Sequence, residues 1–150
     1  MAETRLKPGW KVWRFEQMAT NVNVRIDNPA ESGMEHYVGL EHLDLGFAGR
    51  YGPDHPVHAA LAALQTGDRL RAVETDAGGL ALADRSGVVV GRFSRQGVER
   101  WGGRAGSIRE VRVVAMIHRR AEQDPDPERQ RAYRVEDWEF PAIELVVGAG

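Results

Sequence analysis

The chain of 150 residues contains no cysteine. That absence excludes disulfides, zinc ribbons and thiol nucleophiles, and it fits a reducing cytoplasm. Lysine is nearly absent as well: two lysines stand against eighteen arginines. The basic side chains are therefore almost all planar guanidiniums, which suit bidentate contact with carboxylates and phosphates. No apolar run approaches the roughly 20 residues that cross a bilayer. The first residues, Met-Ala-Glu-Thr-Arg-Leu-Lys-Pro, hold no apolar core of a signal peptide, so none is expected. The net charge of −2 argues against a uniformly basic nucleic-acid binder, while a hydrophobic fraction of 42% is enough for a real core. No Gly-x-x-x-x-Gly-Lys-Ser/Thr loop is present, and neither Ser94 nor Ser107 sits in a nucleophile elbow. An enzyme is not expected, and no metal or other cofactor is implied.

What is present reads mostly as β-structure. Residues 10–13 and the alternating Val22, Val24 and Ile26 suggest short strands around a helical turn at 14–19, and residues 28–33 read as a loop. Tyr37 to Leu43 suggests a further strand. Three glycines and a proline between Gly46 and Asp54 mark a boundary, giving an amino-terminal unit at 1–52 and a second at 53–150. The boundary segment is expected to be mobile. From Pro56, Val57, Ala60, Leu61 and Leu64 form one apolar stripe, predicting a helix near 56–65 that Gly67 ends in a left-handed conformation. Strands are predicted at 69–74, 80–83, 88–93, 108–118 and 133–147, the last broken at Pro141. Asp76-Ala-Gly-Gly79 and Asp84-Arg-Ser-Gly87 supply turns between them. The expected fold is mainly β (α+β): a small, partly open barrel with one helix and a strand-containing amino-terminal extension.

Two stretches resemble known families. Trp10-Lys-Val-Trp-Arg-Phe15, Asn21-Val-Asn-Val-Arg-Ile-Asp27 and Tyr37-Val-Gly-Leu-Glu-His-Leu-Asp44 occur in that order. Together they resemble the start of a target-recognition domain, the DNA-reading unit of the specificity subunit of type I restriction–modification enzymes. Further on stand His55-Pro-Val-His-Ala-Ala-Leu-Ala-Ala-Leu-Gln-Thr-Gly-Asp68, Gly87-Val-Val-Val-Gly-Arg-Phe93, Val111-Arg-Val-Val-Ala-Met-Ile-His-Arg-Arg120 and Trp138-Glu-Phe-Pro-Ala-Ile-Glu-Leu-Val146. These resemble the β-rich carboxyl-terminal tail of some bacterial RecQ-type helicases, and the middle resembles a HIRAN barrel, SH3-like in shape. Both resemblances are to non-catalytic parts. They imply a DNA-associated module beside a restriction or helicase assembly, with DNA (single-stranded or at an end) as partner and no membrane.

The site residues follow from charge. Residues 91–120 carry eight arginines and two glutamates, whereas 121–150 carry three arginines and eight acids. Arg92, Arg95, Arg104, Arg112 and Arg119 are the candidate phosphate contacts, with Phe93 and Trp101 as candidate stacking platforms. On a regular strand Arg112 points to solvent while Val111, Val113, Ala115 and Ile117 share the core face. The bland alternative is that the acidic stretch pairs with the basic one and Trp101 is core. A functional alternative is a protein–protein docking module without nucleic-acid affinity, presenting Trp10, Trp13 and Phe15. His36 and His42 lie about 20 Å apart on a strand, too far to share a metal ion. His55 and His58 read as capping and solvent-contacting residues at the helix start.

Overall fold

The computed structural model describes residues 3–5 and 34–148. The predicted elements at 10–13, 14–19, 22–26 and 28–33, and with them Trp10, Trp13 and Phe15, lie outside the described residues. The strands are β1 (Glu3–Arg5), β2 (Met34–Tyr37), β3 (Arg69–Glu74), β4 (Leu80–Ala83), β5 (Val89–Arg92), β6 (Ile108–Arg120) and β7 (Asp137–Val147). The helices are α1 (Pro56–Ala63), α2 (Arg95–Trp101) and α3 (Pro127–Ala132), with short 3-10 turns between elements. All pairings are antiparallel in the order β2-β7-β6-β3-β4-β5, and β1 joins the far end of β6. The sheet is open but curls. Val38 N–H donates to the Ile143 carbonyl beside β2, and Leu43 bridges Phe93 just past β5, so residues 38–44 run from one sheet edge to the other. The fold is α+β and mainly β, as expected, and the described residues hold two short helices beyond the one predicted near 56–65. Among the described residues no helix is long and apolar enough to cross a membrane.

Local chemistry explains most elements. In α1, Pro56 occupies the first turn, where its missing N–H costs nothing, and His55 Nδ1 accepts from Val57 N–H at 3.0 Å as the cap. Val57, Leu61 and Leu64 are buried against the sheet. The helix ends at Ala63, earlier than Gly67. Gly67 does take positive φ, but in the turn that hands the chain to β3. Between β4 and β5, Asp84 Oδ1 accepts from Ser86 N–H, Ser86 Oγ–H and Val88 N–H while Gly87 takes φ +92°.

Two expectations are corrected. First, β7 runs unbroken through Pro141, which lies past the end of β2 and, among the described residues, pairs only with Met116 of β6. A proline is tolerated on such a free strand edge. Second, among the described residues no packing boundary falls at 52–53. Val38, Leu43, Phe47 and Ala48 share one core with Val57, Leu61, Val111, Trp138 and Ile143. The glycine-rich stretch is tied down rather than loose. Trp138 Nε1–H donates to the Leu45 carbonyl at 2.7 Å, and Arg134 N–H donates to that of Gly49 at 2.8 Å. A Cβ on Gly49 would lie 2.7 Å from the Trp138 ring. Glycine is there for close approach to an indole, not for motion.

The regular alternation expected for β6 fails for a specific reason. A bulge between Val113 and Ala115 adds one residue opposite β7 and reverses the phase. Val111 and Val113 face the main core, and so does Met116. Val114, Ala115 and Ile117 pack instead with Phe140 and Ala142 in a second buried cluster.

Candidate nucleic-acid interface

The end of β5, the start of α2, the carboxyl end of β6 and α3 surround a cleft of about 690 Å³. Five arginines line it: Arg50, Arg92, Arg95, Arg119 and Arg129. Two carboxylates, Asp44 and Asp124, stand against them.

Each carboxylate holds guanidiniums in place. Asp44 N–H donates to the Arg92 carbonyl at 2.9 Å, so the backbone contact that ties residues 38–44 to the β5 edge also delivers its side chain. Asp44 Oδ2 then accepts from Arg92 Nε at 2.7 Å and from Arg50 Nη2. Arg92 remains about half exposed, so its outer N–H groups face the solvent. Asp124 is buried, with 3% exposure. It takes Arg129 through Nε and Nη2 at 3.0–3.1 Å, the Tyr133 hydroxyl at 2.6 Å and Asp126 N–H at 3.0 Å. Burial by itself would raise the pKa of Asp124. The hydrogen bonds from Arg129, Tyr133 and Asp126 N–H, with the Arg129 charge, outweigh it and hold the carboxyl well below the ordinary aspartate value. Burial and the bond to Asp124 push the Tyr133 phenol up to about 12. Asp124 is thus a saturated anion, poorly suited to act as a base near neutral pH.

Arg95 and Arg119 have no ion-pair partner among the described residues, and Arg119 Nε is buried without a hydrogen bond. Ser94 sets Arg95 at the first turn of α2: its Oγ accepts from Gly97 N–H at 3.2 Å and donates to the Glu41 carbonyl at 2.6 Å. Gly97 lets the helix lie against residues 40–42, where a Cβ would meet the His42 carbonyl oxygen at 2.1 Å.

Of the residues expected from the sequence, Arg92, Arg95 and Arg119 meet in this cleft, and Phe93 lines its floor. The aromatic assignments are corrected. Phe93 is 4% exposed and Trp101 is 2% exposed, so both are core and neither offers a face to a base. Arg104 is exposed beside Trp101, apart from the cleft-lining residues. Arg112 does not point free to solvent. It contacts Glu110 at 2.9 Å and Glu35 and Glu144 at 3.4 Å, with Glu144 buried opposite it on β7. The acidic carboxyl stretch therefore neutralises the basic one only in part. Among the described residues Arg95, Arg100, Arg104, Arg109 and Arg119 enter no ion pair.

Sequence reasoning missed Arg50, Arg129, Asp44, Asp124 and Tyr133. A signal existed for α3: Asp126-Pro127 is a cap followed by a first-turn proline, and Asp126 Oδ1 indeed accepts from Glu128 N–H at 2.9 Å. Nothing local marked Asp44 and Arg92 as partners. His36 and His42 lie on separate elements, and His58 Nε2–H donates to the Tyr51 carbonyl at 3.0 Å. Among the described residues no three His, Asp or Glu side chains are grouped to hold a metal ion. No family model matches this chain. Neither a curated protein nor a solved structure matches it.

Proposed function

We propose that this chain is a non-catalytic, DNA-associated module that grips nucleic-acid phosphates in the arginine cleft. Its place is the cytoplasm, beside a larger restriction or helicase assembly, as the two sequence resemblances suggest. The observation that carries the reading is the convergence of five arginines, from five separate elements, on one cleft that holds two aspartates. The excess of cations is three. Guanidiniums fixed by carboxylates lose less freedom on taking a phosphate than loose side chains do. Arg95 and Arg119, which have no carboxylate of their own among the described residues, supply the free donors. Recognition is then by charge and shape, without stacking on Phe93 or Trp101.

Fluorescence anisotropy with labelled single-stranded, duplex and overhang oligonucleotides at two salt concentrations tests this. Binding is expected to weaken steeply with salt. Arg95→Ala and Arg119→Ala are each expected to lower the slope of log affinity against log salt by about 0.7 on a single strand. No binding to any oligonucleotide at low salt overturns the reading and favours the docking module.

A further inference from the structure

A second basic group lies at the far end of α2 from Arg95. Arg100 Cζ sits 4.3 Å, and Arg104 Cζ 5.1 Å, from the ring centroid of the buried Trp101. Both cations stand over the electron-rich indole ring. Stacking uses the flat face of a guanidinium and leaves its in-plane N–H donors free, the donors that bind phosphate oxygens bidentately. Both arginines are exposed, and neither enters an ion pair among the described residues. Two like charges on one ring repel, and an anion beside them relieves that repulsion. The positive field is felt locally: His36, edge-on to the same indole at 5.2 Å, is lowered from its ordinary value by burial and by Arg104 and Arg100.

We propose that Arg100 and Arg104, stacked on Trp101, form a second phosphate contact for the same single strand whose first contact is the arginine cleft. This rests on the cleft reading above. The seven residues of α2 separate the two contacts, a span of roughly 10 Å at 1.5 Å per residue. Phosphates along one strand recur at 3.4 Å or more, so a strand reaches the second contact within about three phosphates of the first.

The test is a length series of labelled oligothymidylates, about two, six and ten nucleotides long, spanning that distance. The full chain and its Arg100→Gln/Arg104→Gln variant are compared, with Arg119→Ala as the cleft control. The native chain is expected to bind the longer oligomers about tenfold more tightly than the shortest. The double variant is expected to lose that gain and about 1.4 units of salt slope, two contacts at 0.7 each, while binding the shortest oligomer normally. Should the double variant melt early, Arg104→Gln alone, in an exposed turn, is expected to show half the slope change. Native affinity and slope in these variants for every length, with Arg119→Ala still weakening binding, overturns this inference and leaves the cleft standing. Indifference of binding to Arg119→Ala overturns both. A glutamate-rich peptide that displaces the long oligomer from the native chain, but not from the double variant, also overturns the inference and makes the site an acidic-protein contact.

Discussion

Replacing Asp124 tests the brace of the cleft and its energetics together. Its carboxylate accepts from the Arg129 guanidinium, the Tyr133 hydroxyl and one backbone N–H while almost wholly buried. Hydrogen bonds to a charged group contribute about 1.5–3 kcal/mol each. The Arg129 share must be discounted, because that side chain is 58% exposed and water replaces its partner readily. The bond from Tyr133 then dominates, and Asp124→Asn is expected to cost about 2–3 kcal/mol. In a chain of this size that is roughly 5–10 °C of melting temperature. The pH dependence has a definite sign. Because the carboxyl is held below its unfolded value, the unfolded chain takes up the proton first, and the stabilisation is lost as pH falls through about 4 and lower. Above about pH 5 it is fully present. Urea melts at pH 6 and near pH 3.5 on the native chain and on Asp124→Asn read this directly. The gap between the two proteins is expected to narrow at the lower pH, and Tyr133→Phe combined with Asp124→Asn is expected to cost less than the two single losses together. An equal gap at both pH values, with additive losses, would refute the argument that Asp124 is a hydrogen-bonded anion organising this corner.

Gly49→Ala places a methyl against the buried Trp138 ring and is expected to destabilise the fold by about 1–3 kcal/mol, measured by thermal melting. A chain cut to residues 53–150 loses Val38, Leu43, Phe47 and Ala48 from the shared core and is expected to show no cooperative transition by circular dichroism. Arg112→Ala removes the guanidinium shared by Glu110, Glu35 and Glu144 and is expected to cost about 2 kcal/mol, less than a fully buried pair because Arg112 is part exposed; oligonucleotide affinity by anisotropy should not change, since Arg112 does not line the cleft. Val113→Ala opens the main core, with an expected cost of about 1–3 kcal/mol and the same unchanged affinity.

The sequence by itself determined what near neighbours control. The stripe of Val57, Leu61 and Leu64, the proline and cap that start α1, and the turns at Asp76–Gly79 and Asp84–Gly87 are all legible within a few residues. So is β3, which runs over Arg69–Glu74 as read. The mainly β class followed from them. Tertiary structure decided the rest, because the deciding contacts are remote along the chain. Asp44 and Arg92 are 48 residues apart, and only the run of residues 38–44 across the curled sheet to the β5 edge joins them. Burial separated core from surface among the aromatics: Phe93 and Trp101 lie among arginines in sequence, yet pack inside. One extra residue at Val113–Ala115 turned the second half of β6 over, a change that hydrophobic alternation cannot show because every residue there is apolar. The glycines near residue 49 read as a hinge by composition; the indole of Trp138, brought in from the last strand, makes Gly49 a packing surface.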